Sequence, residues 1–338
     1  MQFNKILKSK RNKSMSLDVS RELRNFFILT FAFSWIIWFL APIIALGDNL
    51  VFLFICMIGA CGPSISAVII SSQINTVHDD NSKKKMWLLF IITLIVSIIS
   101  GFVIVLFAEG QITFYLIIVL IIAATIAAFL ISGIYSSNQG ISNLLQPLKG
   151  VKKKQRFLLV AFFLPFLFAL GAIFVFILGG GIIPSDFNFF LSFFVLLIGY
   201  PFMFFFGGPL NEEIGWRGFA TSRLQEKSSP LITGIIIGII WSLWHAPLHF
   251  NGFYGDGWSG FLLRFVWNVP LCIIFTWYYN KSDGNLLGAI FLHASINAFL
   301  NLVYFVPVII FGIFIIITAI FLIIYEKMWK KLPLIKKN

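Results

Sequence analysis

Residues 87–106 read WLLFIITLIVSIISGFVIVL, with apolar side chains at nearly every position and no charge. A strand that crosses a membrane alternates every second residue over about 10 residues. This run does not alternate, so it reads as a helix, and its length is the roughly 20 residues a helix needs to cross the hydrocarbon layer. The same reading extends in both directions along the chain. Ten segments fit it: 26–46, 51–72, 87–108, 112–134, 157–178, 188–210, 231–250, 260–279, 286–305 and 307–325. The last two are separated only around Val306 and Pro307, so the expectation is about ten spans, within a range of eight to ten. The predicted fold class is an all-α, polytopic transmembrane helix bundle.

Composition agrees. Of 338 residues, 59% are hydrophobic and 11% charged, with a mean hydropathy of +0.95; a soluble domain carries about 25% charge. The charges also sort by side. With the N-terminus placed inside, every one of the 25 Lys and Arg residues except Arg264 falls on the inner side, including Arg217, Arg223 and Lys227 after the sixth segment. The predicted outer loops hold Asp48, Glu109, Asp186 and Asp256. By the rule that cytoplasmic loops carry the basic residues, both termini are expected in the cytoplasm. The net charge of +12 lies beside span ends, without aromatic interleaving. It therefore reads as topology and attraction to anionic lipid, not as a nucleic-acid surface.

The first 25 residues form a basic tail. Ala45-Leu46-Gly47 resembles a signal cleavage site, but the apolar run before it exceeds the usual 7–15 residues, so an uncleaved anchor is expected. Cys56, Cys61 and Cys272 lie in apolar spans without CxxC spacing and read as small buried hydrophobes. Four regions follow: the tail 1–25, membrane helices 26–206, a polar membrane core 207–304, and a last helix with a basic tail, 305–338.

The core is set apart by residues a bilayer resists. Glu212-Glu213-Ile-Gly-Trp-Arg217 places Arg217 four residues after Glu213, so the two share a helix face and can pair, leaving Glu212 pointing elsewhere. A carboxylate left unpaired in an apolar setting is the kind of group that serves as general acid or base near neutral pH. The plain alternative is a solvated interfacial ion pair. Trp241-Ser-Leu-Trp-His245 puts an imidazole well inside the seventh segment, with His249 one turn on and Pro247 between them. A lone helical histidine is usually a satisfied core residue, and the HExxH zinc pattern is absent. His293-Ala-Ser-Ile-Asn297 sets an imidazole and an amide on one face, able to donate to an oxyanion or simply to bond neighbouring helices. Each motif alone is weak. Gathered in one third of the chain, they point to function, because ionisable groups inside a membrane are costly.

Glu-Glu-x-x-x-Arg, then aromatic-x-x-x-His, then His-x-x-x-Asn on successive helices resembles the CPBP family, the CAAX prenyl protease 2 and bacteriocin-processing proteins also called Abi. The resemblance covers about residues 207–300. Trp241 stands where the family usually has Phe. The resemblance implies an intramembrane endopeptidase in the cell membrane, acting on a membrane-associated protein or peptide precursor. Glu212 and His245 would activate water, His293 and Asn297 would stabilise the oxyanion, and Glu213 and Arg217 would orient the site. Two mechanisms stand open: zinc held by Glu212, His245 and His293, or a metal-free glutamate mechanism. The alternative function is a non-proteolytic bacteriocin-immunity or scaffold protein of the same family, with a sensor kinase or peptide exporter as partner. A transporter is disfavoured because breaks and charges fall in one half only. The Lys-, Asn-, Ile- and Phe-rich composition suggests a low-GC bacterium, where leader peptides, bacteriocins or signal precursors are expected as substrates beside CAAX-type proteins.

Straight spans rising 1.5 Å per residue would leave Glu212 near the inner face, with His293 roughly 10 Å and His245 roughly 20 Å deeper. The chain is therefore expected to break near Pro209 and drop Glu212 into a water-filled cavity open to the cytosol. His78, beside Asp79 and Asp80, is expected to carry no chemistry.

Overall fold

The computed structural model describes residues 2–73, 80–107, 111–150 and 154–331. His78, Asp79 and Glu109 lie outside the described residues. Each of the ten apolar segments is helical, and no strand occurs among the described residues. Nine described stretches are long and apolar enough to cross a membrane, and the helix Leu286–Leu302 is a shorter tenth.

In chain order the helices are α1 (Gln2–Ile44), α2 (Asn49–Gly59), α3 (Gly62–Ser71), α4 (Asp80–Phe107), α5 (Phe114–Ser132), α6 (Gln139–Leu145) and α7 (Arg156–Leu178). They continue with α8 (Phe189–Phe205), α9 (Pro209–Glu213), a π-helical segment (Ile214–Thr221), α10 (Ser222–Leu224), α11 (Pro230–Trp244) and α12 (Ala246–Phe250). The last three are α13 (Gly257–Lys281), α14 (Leu286–Leu302) and α15 (Val308–Tyr325).

Polar residues at the seams start the helices. Asp48 Oδ1 accepts from Leu50 N and Val51 N, Asn188 Oδ1 from Leu191 N, and Asn285 Oδ1 from Gly288 N. These bonds satisfy amide groups that a helix start leaves without partners. Pro230 follows the cap Ser229 in the first turn of α11, where its missing N–H costs nothing.

α14 is the centre of the bundle. It packs against α7, α8, α9 and α13, and most of its residues are buried. α11 and α13 form the tightest pair because Gly234 and Gly238 let the α13 backbone in. A methyl on Gly238 would stand 2.6 Å from the Val269 Cα, and one on Gly234 2.9 Å from the Ile273 Cα. Close backbone approach over small residues holds helices together where lipid supplies no hydrophobic drive between them. At the rim, α4 exposes Trp87, Leu88, Ile91, Ile95 and Ile99, an apolar surface suited to hydrocarbon tails.

Candidate active site

The chain breaks where the sequence puts Gly207-Gly208-Pro209. α8 stops at Phe205 and α9 restarts at Pro209. Gly208 has φ +100°, and a side chain there would collide with the Glu212 carboxylate, so conformation and space both demand glycine. The carbonyls freed by the break are recovered by side chains. Asn211 Nδ2 donates to the Phe205 carbonyl at 3.3 Å, and Asn297 Nδ2 to the Gly207 carbonyl at 3.1 Å. Irregular backbone at membrane depth survives only with such partners.

The break resolves the depth conflict. From Glu212 to Leu224 the chain stays helical, which at 1.5 Å per residue lifts Glu212 about 18 Å from the Leu224 end. That is the level of Trp241 and His245 on α11. Part of this stretch, Ile214–Thr221, is π-helical, with Thr221 Oγ1 donating to the Trp216 carbonyl at 2.8 Å. Such widened turns recur at functional sites. Arg217, which the charge count placed on the inner side, is a correction: it is buried on this segment at 1% exposure. A charge count reads position along the chain and cannot see that the acid one turn away holds the cation inside.

The two adjacent acids divide. Glu213, fully buried, accepts from Arg217 Nη1 at 3.2 Å and from His293 Nδ1 at 2.8 Å, both through Oε1. Arg217 Nε also stands 3.1 Å from Glu213 Oε2 without hydrogen-bond alignment. The guanidinium lies over the Phe275 ring at 4.1 Å, and its Nη2 donates to Cys272 Sγ at 3.3 Å. Glu212 turns the other way, accepting from Trp241 Nε1 at 2.5 Å through Oε2.

Hydrogen bonding sets the tautomers. His245 Nδ1 is 2.7 Å from the Trp241 carbonyl, which can only accept, so Nδ1 carries the proton. His293 Nδ1 likewise donates to the Glu213 carboxylate. The Nε2 atom of each ring makes no hydrogen bond within the protein among the described residues. His249 is not part of this group. The helix stops at Trp244, and the turn with Pro247 carries His249 away to bond Asp256 Oδ1 at 2.6 Å.

Glu212, Trp241, His245, His293 and Asn297 line one cavity, with about 140 Å³ of room for water-sized molecules. Glu213 and Arg217 lie behind it. The lining also includes Tyr254, Arg264 and Asn268, and an apolar wall of Leu271, Ile296, Phe311 and Ile315. Tyr254, Arg264, Leu300 and Val308 sit at the helix ends that the loop charges assign to the outside. Among the described residues, no three His, Cys, Asp or Glu side chains converge to hold a metal ion. Glu212, His245 and His293 have the donor chemistry for zinc, but as arranged they share a cavity and not a ligand sphere.

Sequence reading missed three contributions. It took Trp241 for a bulky substitute for Phe, whereas the indole N–H is a donor to Glu212. It gave α1 no part in the site, yet Trp35 Nε1 donates to the Trp244 carbonyl at 2.9 Å, and Trp38 packs against Trp244 with tilted rings whose centres are 4.5 Å apart. It also read Arg264 only as the one cation off the inner side and gave Asn268 no role, although a cation and an amide in an otherwise apolar span are signals.

Residues 190–299 match the model of a family described as type II CAAX prenyl endopeptidase Rce1-like proteins. Over 93 residues the chain is 40% identical to the CAAX prenyl protease 2 of Methanococcus maripaludis, covering 25% of this chain and 34% of the relative. The chain therefore spans about a third of the length of the curated relative it matches. The matched stretch holds all three motifs, and with them the break, the paired acids and both cavity histidines. Both matches support the resemblance to the CPBP family that the motifs carry.

Proposed function

We propose that the protein is an intramembrane endopeptidase that hydrolyses a peptide bond of a membrane-associated substrate inside the cavity lined by Glu212. The observation that carries this reading is the division of the two acids. One is locked to Arg217 and His293, and the other faces enclosed space beside two imidazole Nε2 atoms.

In this reading Glu212 takes a proton from a water molecule held between its carboxylate and His245 Nε2. The hydroxide formed attacks the scissile carbonyl carbon. The resulting oxyanion receives hydrogen bonds from Asn297 Nδ2 and from His293 Nε2. For His293 to donate there it must carry both protons, and the Glu213 carboxylate on its Nδ1 is the counter-charge of that form. Glu212 then passes its proton to the leaving nitrogen as the C–N bond breaks, so atoms and charge balance. Preorganised donors in a site that excludes bulk water are the largest source of such acceleration. The cavity has room for the water that the reaction consumes. A peptide enters by displacing water and moving the apolar wall.

A CAAX-type terminus is one substrate class, suggested by the relative's name; leader, bacteriocin or signal precursors are the other. The test compares small-peptide profiles of cells carrying wild-type protein and Glu212→Gln at matched membrane abundance. Peptides that vanish only with the variant support proteolysis and name the substrate. Identical profiles, with the variant still supporting the cell phenotype, favour the immunity or scaffold role.

A further inference from the structure

His245 sits on a turn, and a buried turn holds its shape only where its backbone groups find partners. α11 stops at Trp244, just before Pro247, which cannot continue a helix. In a continuous helix Leu248 N would meet the Trp244 carbonyl; here it goes to the His245 carbonyl, at 3.0 Å. The donor that reaches the Trp244 carbonyl comes from α1, 209 positions away: Trp35 Nε1, at 2.9 Å. That carbonyl and His245 N belong to one peptide unit, and His245 N bonds the Trp241 carbonyl at 3.3 Å. Both polar ends of the peptide that carries His245 are thus fixed.

The far end of the turn is tied in the same way. Pro42 lies four residues after Trp38 inside α1 and has no N–H to give the Trp38 carbonyl. Asn251 Nδ2, at the end of α12, donates there at 3.0 Å. Phe253 N donates to Asn251 Oδ1 at 3.0 Å, which settles the way the amide points. The turn and the proline of α1 each free a carbonyl, and the opposite element supplies its donor. Between the two ties stands the fully buried Trp38 indole. Its Nε1 donates to the Cys56 carbonyl at 2.7 Å, and a side chain at Gly59 would collide with it. The ring lies nearly parallel to the His245 imidazole with centres 6.3 Å apart, and Trp244 meets that imidazole edge-on at 4.7 Å. α1 lies outside residues 190–299, and none of the three motifs includes it.

We propose that Trp35 and Asn251 are positioning residues for His245. With the Trp38 ring behind it, the turn is braced against α1 at both ends. The brace holds the imidazole with its proton on Nδ1 and its Nε2 left for the water beside Glu212. The proposal rests on the proteolytic reading above for what His245 does there. A loosened turn lets the bond from His245 Nδ1 to the Trp241 carbonyl open, and the proton then divides between the two ring nitrogens. Water activation suffers, because proton transfer demands hydrogen-bond reach and alignment.

The test uses full-length protein labelled with ¹⁵N-histidine, in phosphatidylcholine vesicles at about pH 8, above the ordinary histidine pKa of about 6.5. Magic-angle-spinning NMR reads which nitrogen of each ring carries the proton, and His245→Gln marks the His245 signals by their loss. Trp35→Phe keeps an aromatic ring and removes the donor; Asn251→Ala removes the other tie. Wild-type protein is expected to show His245 protonated at Nδ1 alone, and each variant a mixture of both tautomers, with the His293 signals unmoved. In cells, release of the peptides that depend on Glu212 is expected to fall about ten-fold at equal membrane abundance, the worth of one net hydrogen bond. A His245 spectrum unchanged in both variants would overturn the proposal, leaving α1 a packing helix whose weakening shows only in abundance and thermal stability. If no peptide depends on Glu212, the proteolytic reading falls, and the spectrum still decides whether α1 sets His245.

Discussion

α14 and α15 follow one another in the chain, and both read as apolar spans, yet they live in different solvents. α14 is buried over most of its length and carries His293, Ser295 and Asn297. α15 buries only Phe311, Gly312, Ile315, Ala319 and Leu322, and turns Ile309, Ile313, Ile317, Phe321 and Ile324 outward. Hydropathy says that both belong in a membrane. What separates them is the cost of polar groups, which lipid cannot meet and a protein interior can. Where polar residues interrupt an apolar helix, that helix is enclosed, and the enclosure is where water and chemistry are found.

The sharpest break of this comparison is at Glu212. Glu212→Gln keeps size and hydrogen-bonding shape while removing the base. We expect cleavage to fall by about 10²- to 10⁴-fold with normal membrane abundance, measured as kcat/KM on vesicle-embedded protein. Next is the ion pair behind the cavity. Arg217→Ala leaves the buried Glu213 with His293 in place of its guanidinium partner, a loss of about 3–5 kcal/mol that should appear as lowered abundance and thermal stability. Adding Glu213→Gln should restore most of that stability without restoring activity. At Trp241 the expected effect is smaller and purely catalytic. Trp241→Phe removes the donor to Glu212 and should cost about ten- to hundred-fold in kcat. Trp244→Phe is the control, because the Trp244 indole N–H has no partner. The smallest effects compare the two helices directly. Ile290→Ala, at a fully buried position of α14, should cost about 2–5 kcal/mol of stability, whereas Ile317→Ala on the outer face of α15 should change little. Equal costs would break the distinction between enclosed and lipid-facing helices.

Much of this was legible before any coordinates. Runs such as 87–106 are too long and too uniform to be anything but membrane helices, and all ten segments are helical. The pairing of Glu213 with Arg217 followed from i, i+4 spacing. The break at Pro209 followed from the need to bring Glu212 level with His245. What spacing could not show was contact between distant segments. Nothing local says that His293 bonds Glu213 across 80 positions, or that Trp241 reaches Glu212. Nor does it say that Asn297 serves the broken backbone at Gly207. Those facts depend on which helices neighbour α14, and hydropathy carries no information about neighbours. The same blindness counted Arg217 among the loop charges, although it is buried.

The central claim is that water, activated at Glu212, cuts a peptide bond inside the bundle. The direct measurement is cleavage in ¹⁸O-enriched water by wild-type protein and Glu212→Gln side by side in vesicles, with products weighed by mass spectrometry. The account predicts one ¹⁸O atom in the newly formed carboxylate with wild-type protein and no new product with the variant. Product formed equally by both proteins would contradict it.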